Sequence, residues 1–244
     1  MRFLRLFWFQ FKLYISNQYF FWLTITSTVS IFVLQYTIAY ANHGLNDPMV
    51  WIRSAVFGLW ASCTTAAGSI GYQRFQGTLP YIINTRYDER ASLIALLLPA
   101  SSYGLLAFPL SFLLAKIFSV ATGTIDLKFI GIVILLWIAA ATMDILIAAF
   151  FTLTPNALVY EALINIPILL LTGLFGNRVI SLPLMEVSQY FLPMTMPVRV
   201  LLYSGNMTNI LAYICSMLIW ILLILVMVRK INDLAREKGT LKII

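Results

Sequence analysis

Six stretches of this 244-residue chain are long enough and apolar enough to cross a bilayer, and they occupy most of it. They run over residues 19–41, 54–72, 91–115, 129–153, 157–177 and 207–228, and only the fourth and fifth carry a charge, Asp144 and Glu161. A helix rises ~1.5 Å per residue, so about 20 residues span a ~30 Å hydrocarbon layer. Inside lipid each backbone amide needs a partner within the protein, which restricts spanning segments to helices or closed barrels. These stretches are too long and too uniformly apolar for barrel strands, whose polarity alternates. The chain therefore reads as an all-α polytopic membrane protein of six transmembrane helices.

Charged residues make up 10% of the chain, against roughly 25% in soluble domains. The spans and their connections use nearly the whole length and leave no room for a soluble catalytic domain. We expect one transmembrane domain over 1–244, with an interfacial helix at 1–18, the spans at 19–228 and a cytoplasmic tail at 229–244. Of the 16 Lys and Arg residues, 11 fall on the side that holds both termini and the connection between spans two and three, and five fall on the other. The positive-inside rule then puts both termini in the cytoplasm. The cations flank apolar helices and form no continuous patch, so nucleic acid is not an expected partner.

The first 18 residues differ from a plain flank. Arg2, Arg5, Lys12 and Ser16 share roughly one stripe of a helix, and Phe3, Leu4, Leu6, Phe7, Trp8 and Phe11 cover most of the remainder. Such a segment can lie along the inner interface with its rings in the acyl boundary. The simpler alternative is an anchor that only orients the first span.

Between spans two and three the chain reads Gly-Tyr-Gln-Arg-Phe-Gln-Gly-Thr-Leu-Pro-Tyr-Ile-Ile from Gly71 to Ile83. Gly77 is suited to end a helix, Thr78 to cap a new one, and Pro80 to sit in its first turn. Leu79, Ile82 and Ile83 then form an apolar i, i+3, i+4 face. A short amphipathic helix of this kind lies on the membrane or enters a groove of a cytoplasmic partner.

On these residues the chain resembles the permease subunits of ABC-type-2 exporters over its whole length. The resemblance rests on the amphipathic N-terminal helix, the six spans and the Gly77-Thr78-Leu79 element after the second span. It extends to the Pro-interrupted outer segment, with Leu182-Pro183-Leu184 and Leu192-Pro193-Met194-Thr195-Met196-Pro197 following Leu171-Thr172-Gly173-Leu174-Phe175-Gly176. It implies a coupling helix, formed by Gly77, Thr78, Leu79, Ile82, Ile83 and Arg86, that docks on a cytoplasmic ABC ATPase. The expected assembly is two permease chains, identical or different, with two ATPase subunits that bind ATP and Mg. The expected cargo is a hydrophobic drug, a lipid-like molecule or a bacteriocin-type peptide, exported across a bacterial plasma membrane. A polysaccharide or glycolipid exporter and a non-transporting six-span scaffold or regulator are the alternatives. Family members commonly carry glutamates around the Gly-Thr pair. Here Gln73, Gln76 and Pro80 occupy that neighbourhood, which shifts expected docking towards the apolar face and towards Arg74 and Arg86.

The segment from Arg178 to Arg199 is too polar and Pro-broken to cross the membrane and too apolar for a free loop. It is expected to form short re-entrant or interfacial helices. Leu182, Pro183, Leu192, Pro193 and Met196 are candidates for an outer gate, and a plain interfacial hairpin is the alternative. Asp144, near the middle of span four, either recognises a cationic part of a cargo or bonds a neighbouring helix. Glu161 lies close to the cytoplasmic turn at Pro155. No phosphate-binding GxxxxGK[ST] loop, HExxH pair or Ser–His arrangement occurs. The lone His43 sits in a loop, and Cys63 and Cys215 lie within spans. We expect no catalytic, cofactor or metal site of the chain's own.

Overall fold

A computed structural model describes residues 2–16, 18–83, 89–154, 157–175, 186–203 and 210–238. All regular structure among them is helical. The elements are α1 (Arg2–Ser16), α2 (Gln18–Ala41), α3 (Met49–Phe75), α4 (Leu79–Ile83) and α5 (Glu89–Ser102). A 3-10 segment (Tyr103–Leu106) leads into α6 (Ala107–Ile117), followed by α7 (Leu127–Leu153), α8 (Ala157–Leu171), α9 (Thr195–Tyr203) and α10 (Ile210–Glu237). Four segments are long and apolar enough to cross a membrane: Gln18–Ala41, Ala91–Ile117, Leu127–Leu153 and Ile210–Ala235. The chain is a multi-pass α-helical membrane protein.

The second expected span is α3, which occupies the centre and packs against α2, α5, α6, α7 and α8. It runs for 27 residues, about 40 Å at 1.5 Å per residue. Its middle is rich in small and hydroxylated residues, including Ser62, Thr64, Thr65, Gly68 and Ser69, nearly all buried. Lipid tails are as apolar as leucine, so helices associate in a bilayer by close packing, and small side chains permit it. A Cβ on Gly58 would overlap Thr28 Oγ1 and lie 2.8 Å from Ala107 Cβ. A Cβ on Gly104 would lie 2.8 Å from the Leu59 carbonyl oxygen. These two positions let α2, α6 and the 3-10 segment close on α3.

Three expected boundaries change. The third span is interrupted: α5 gives way to 3-10 geometry at Tyr103–Leu106, four residues after Pro99 removes an amide from the ladder. The fifth expected span is helical only to Leu171, where a turn at 172–175 begins. Its 15 residues cover about 22 Å, short of a ~30 Å hydrocarbon layer. The sixth helix runs past the expected end of its span at Val228, because α10 continues to Glu237 with Ile231, Asn232 and Ala235 buried.

The two ends of the bundle differ. At one end the N-terminal turn of α3 meets the α6–α7 connection. Trp51 Nε1 donates to the Thr122 carbonyl at 3.1 Å, and the Ala121 amide donates to Leu45. Asp126 caps α7 there by accepting from the Phe129 amide at 2.8 Å. At the opposite end the last turns of α3, α7 and α10 come together beside α1.

Candidate functional site

The last turn of α3 closes in a Schellman arrangement. The Gly77 amide donates to the Arg74 carbonyl at 2.9 Å and the Thr78 amide to the Gln73 carbonyl at 3.0 Å. Gly77 has φ +72°, a conformation that costs glycine no Cβ clash. The Thr78 hydroxyl turns back onto Gln73, bonding its carbonyl at 3.0 Å and also its side-chain oxygen. The Gly-Thr pair is thus one rigid unit with the helix before it, and α4 follows at once.

Leu79 corrects an expectation. It is fully buried, so it anchors the turn in the bundle and is not part of an outward docking face. The apolar surface that the turn does present is aromatic: Tyr81 is 79% exposed and Phe75 77%, with Tyr72 half exposed beside them. Ile82 and Ile83 belong to the backbone of α4, and their side chains lie outside the described residues. Arg86 lies outside them as well.

Arg74 also departs from expectation. It is only 4% exposed and is committed within the chain, not held out for a partner. Its Nη2 donates to the carbonyl oxygens of Phe151 at 3.0 Å and Thr152 at 2.8 Å, and its Nη1 to that of Thr154. The final carbonyls of a helix have no intrahelical donor and carry the negative end of its dipole. A guanidinium with five donors in a fixed fork suits them well. Thr152 continues the contact, donating to Ala149 at 2.7 Å and approaching Asn232 of α10 at 3.4 Å. The last turns of α3 and α7 are therefore tied together, with Asn232 of α10 alongside, behind the Gly-Thr turn.

Helix α1 packs against this end from the side. Tyr14 is buried, donates to Ser69 Oγ at 3.2 Å, and meets Phe20 edge-on with ring centroids 4.6 Å apart. Burial pushes its phenol up to about 12, against the opposing effect of its bond to Ser69. Gln10, one turn earlier, is buried too, whereas Leu4, Trp8, Phe9 and Leu13 are exposed. α1 thus has a polar inner contact and an apolar outer surface, as a helix at a lipid boundary should. Between α1, the Gly-Thr turn and α5 lies a cleft of about 370 Å³. Gln10, Gln73, Gln76, Thr78 and Ser92 supply its polar lining, and Leu6, Phe9, Leu13 and Tyr81 the apolar part.

Asp144 is completely buried on α7. At the far end, Leu192, Pro193 and Met196 are buried with Met194 and Thr195, and α9 packs on α7 and α3. The segment is fastened to the end of α8: Ser188 Oγ donates to the Leu171 carbonyl at 2.9 Å and Tyr203 to that of Gly173 at 3.2 Å. Leu182 and Pro183 lie outside the described residues.

Sequence reasoning located the Gly-Thr-Leu turn but missed Arg74 as its brace and Gln10 as the buried floor of the cleft. The only signals were a basic residue in the last turn of a helix and a lone amide among apolar residues. Neither names a distant partner. No family model, curated protein or solved structure matches this chain.

Proposed function

We propose that this chain is the membrane permease subunit of an ATP-driven exporter of the ABC-type-2 kind, with six spans and both termini in the cytoplasm. In this reading α3 and α8 are the second and fifth spans. α3 tolerates its hydroxyl groups because other helices enclose it. Two such chains enclose a pathway for a hydrophobic or amphipathic cargo. Two separate ATPase subunits, which bind ATP and Mg, supply the energy.

One observation carries the reading. The Gly77-Thr78-Leu79 turn is locked to α3 through Gln73 and follows directly on Arg74, which bonds the end of α7. A partner pressing on Tyr81 and Phe75 would move α3 and α7 together instead of flexing a loop. Mechanical coupling of this kind needs a contact surface joined stiffly to helices that have two packings. The N-terminal helix and the end of α10 lie at the same end of the bundle as this turn, as the topology requires.

The test is co-purification with the phosphate-loop ATPase expected in a neighbouring reading frame. Tyr81→Asp and Phe75→Asp, both at exposed positions, should each reduce ATPase retention at least tenfold while the permease stays folded. Retention unchanged by both, or no associated ATPase at all, rejects the reading.

A further inference from the structure

We infer that the one open edge of α3 holds an anionic phospholipid, with its phosphate on Arg53 and an acyl chain along Phe57 and Ala61. From Val50 to Ile70 every residue of α3 is buried except these three, which keep partial exposure. They stand four apart and so follow one another down a single side of the helix, an arginine, then a ring, then a methyl. Arg53 supplies the reason. Among the described residues its guanidinium makes one hydrogen bond, from Nη2 to Met49 Sδ at 3.8 Å, and its Nε is buried without a partner. A thioether is a weak acceptor on a flexible side chain, so it yields its place readily. The fork of Nε and Nη2 matches two oxygens of a phosphate.

The chain keeps no acid for this cation. At the same end, Asp47 accepts from the Met49 amide at 2.9 Å and Asp126 from the Phe129 amide at 2.8 Å, each serving the start of a helix. Glu186 is exposed, and Arg53 makes no ion pair among the described residues. Asp88, Glu89, Glu161, Asp233 and Glu237 belong to the end that holds the Gly-Thr turn, and Asp144 lies well along α7. Residues 176–185 and 204–209 include no acid at all. Depth then selects a lipid. With α3 taken as the second span, the part of the exporter reading used here, its ~40 Å extend about 5 Å beyond a ~30 Å hydrocarbon layer at each end. Arg53 lies about 6 Å from the first residue of α3, at the hydrocarbon edge, and its contact with Met49 turns the guanidinium back into the headgroup layer. Lipid phosphates lie at that level. Phe57 and Ala61 follow at about 6 and 12 Å deeper, where acyl chains run. The site needs no ATPase.

The experiment uses the full chain purified in detergent without any partner. It is incubated with equimolar phosphatidylglycerol and monoglucosyl diacylglycerol of identical acyl chains, washed, and analysed for retained lipid by native mass spectrometry. The wild type should retain phosphatidylglycerol about tenfold over the uncharged lipid, the worth of roughly one hydrogen bond to a charged group. Arg53→Gln should lose that preference. Ala61→Phe keeps the charge but fills the acyl lane, should lower phosphatidylglycerol retention several-fold, and serves as the second variant if Arg53→Gln fails to fold. Glycerol phosphate, which carries the anion without the chains, should not displace the bound lipid at equal concentration. Equal retention of the two lipids by the wild type overturns the proposal, as does a preference that survives Arg53→Gln or retention untouched by Ala61→Phe. Displacement by glycerol phosphate overturns it too, since the ligand would then be a free phosphate compound. Absence of an ATPase with the lipid preference intact would reject the exporter reading alone.

Discussion

Arg74 Nη2 donates to the carbonyl oxygen of Thr152 at 2.8 Å, joining the last turn of α3 to the last turn of α7 across 78 positions of sequence. One side chain closes the ends of two central helices, and the turn expected to meet a partner begins three residues later. That one guanidinium holds the end of α7 against the end of α3.

Arg74→Lys tests this bond. An ammonium is a point charge and cannot reproduce a fork that reaches three carbonyls. We expect a loss of about 1.5–3 kcal/mol, read as a lower thermal midpoint in detergent. If the exporter reading holds, Arg74→Lys keeps its ATPase but transports less per ATP consumed. A midpoint equal to that of the wild type would mean that water replaces the guanidinium at the end of α7.

Gly58→Ala tests the approach of α2 and α6 to α3. The added methyl meets Thr28 Oγ1 and Ala107 Cβ well inside contact distance, and overpacking of this kind costs about 1–3 kcal/mol. Because Thr28 supplies the nearest atom, Thr28→Ala in the same chain should recover part of the loss. A double-mutant cycle measures the recovery, and strict additivity of the two changes would contradict the contact.

Tyr14 makes stability sensitive to alkali. Its folded pKa of about 12 lies above the ordinary value of 10.0, so the unfolded chain gives up this proton first. The contribution is therefore complete below pH 10 and is lost as pH rises towards 12. Two units correspond to about 2–3 kcal/mol at most. Thermal midpoints followed from pH 8 to 11.5 should fall more steeply for the wild type than for Tyr14→Phe. Parallel curves would mean that Tyr14 is not buried against Ser69.

Asp126→Ala removes the cap at the start of α7 and should cost about 1 kcal/mol, with Asp126→Asn close to neutral. Hydrogen exchange would show faster opening confined to the first turn of α7. Uniform acceleration along α7 would assign Asp126 a wider role.

Much of the architecture was legible because a bilayer reduces the question to one of length and polarity. The first, fourth and sixth stretches appear as α2, α7 and α10, and Gly77 ends α3 as glycine in that setting should. What the chain order hid was pairing. Arg74 looked like a surface cation because nothing near it in sequence reveals the carbonyls of Phe151 and Thr152. Leu79 looked like part of a docking face because an i, i+3, i+4 pattern does not say which side of a short helix is already covered. The breaks within the third and fifth stretches were missed because hydropathy averages over Pro99 and over the turn after Leu171. Geometry does not average over them.

The 3-10 segment at Tyr103–Leu106 has a further consequence. Four residues wound at ~2.0 Å and 120° each occupy about 2 Å more length, and about 80° more rotation, than the same four in α geometry. Rewinding this one turn would slide α6 along its own axis and swing Phe108 and Ser111 to new azimuths while α5 stayed still. Gly104, whose added Cβ would meet the Leu59 carbonyl, sits at the point where such a change of winding would begin.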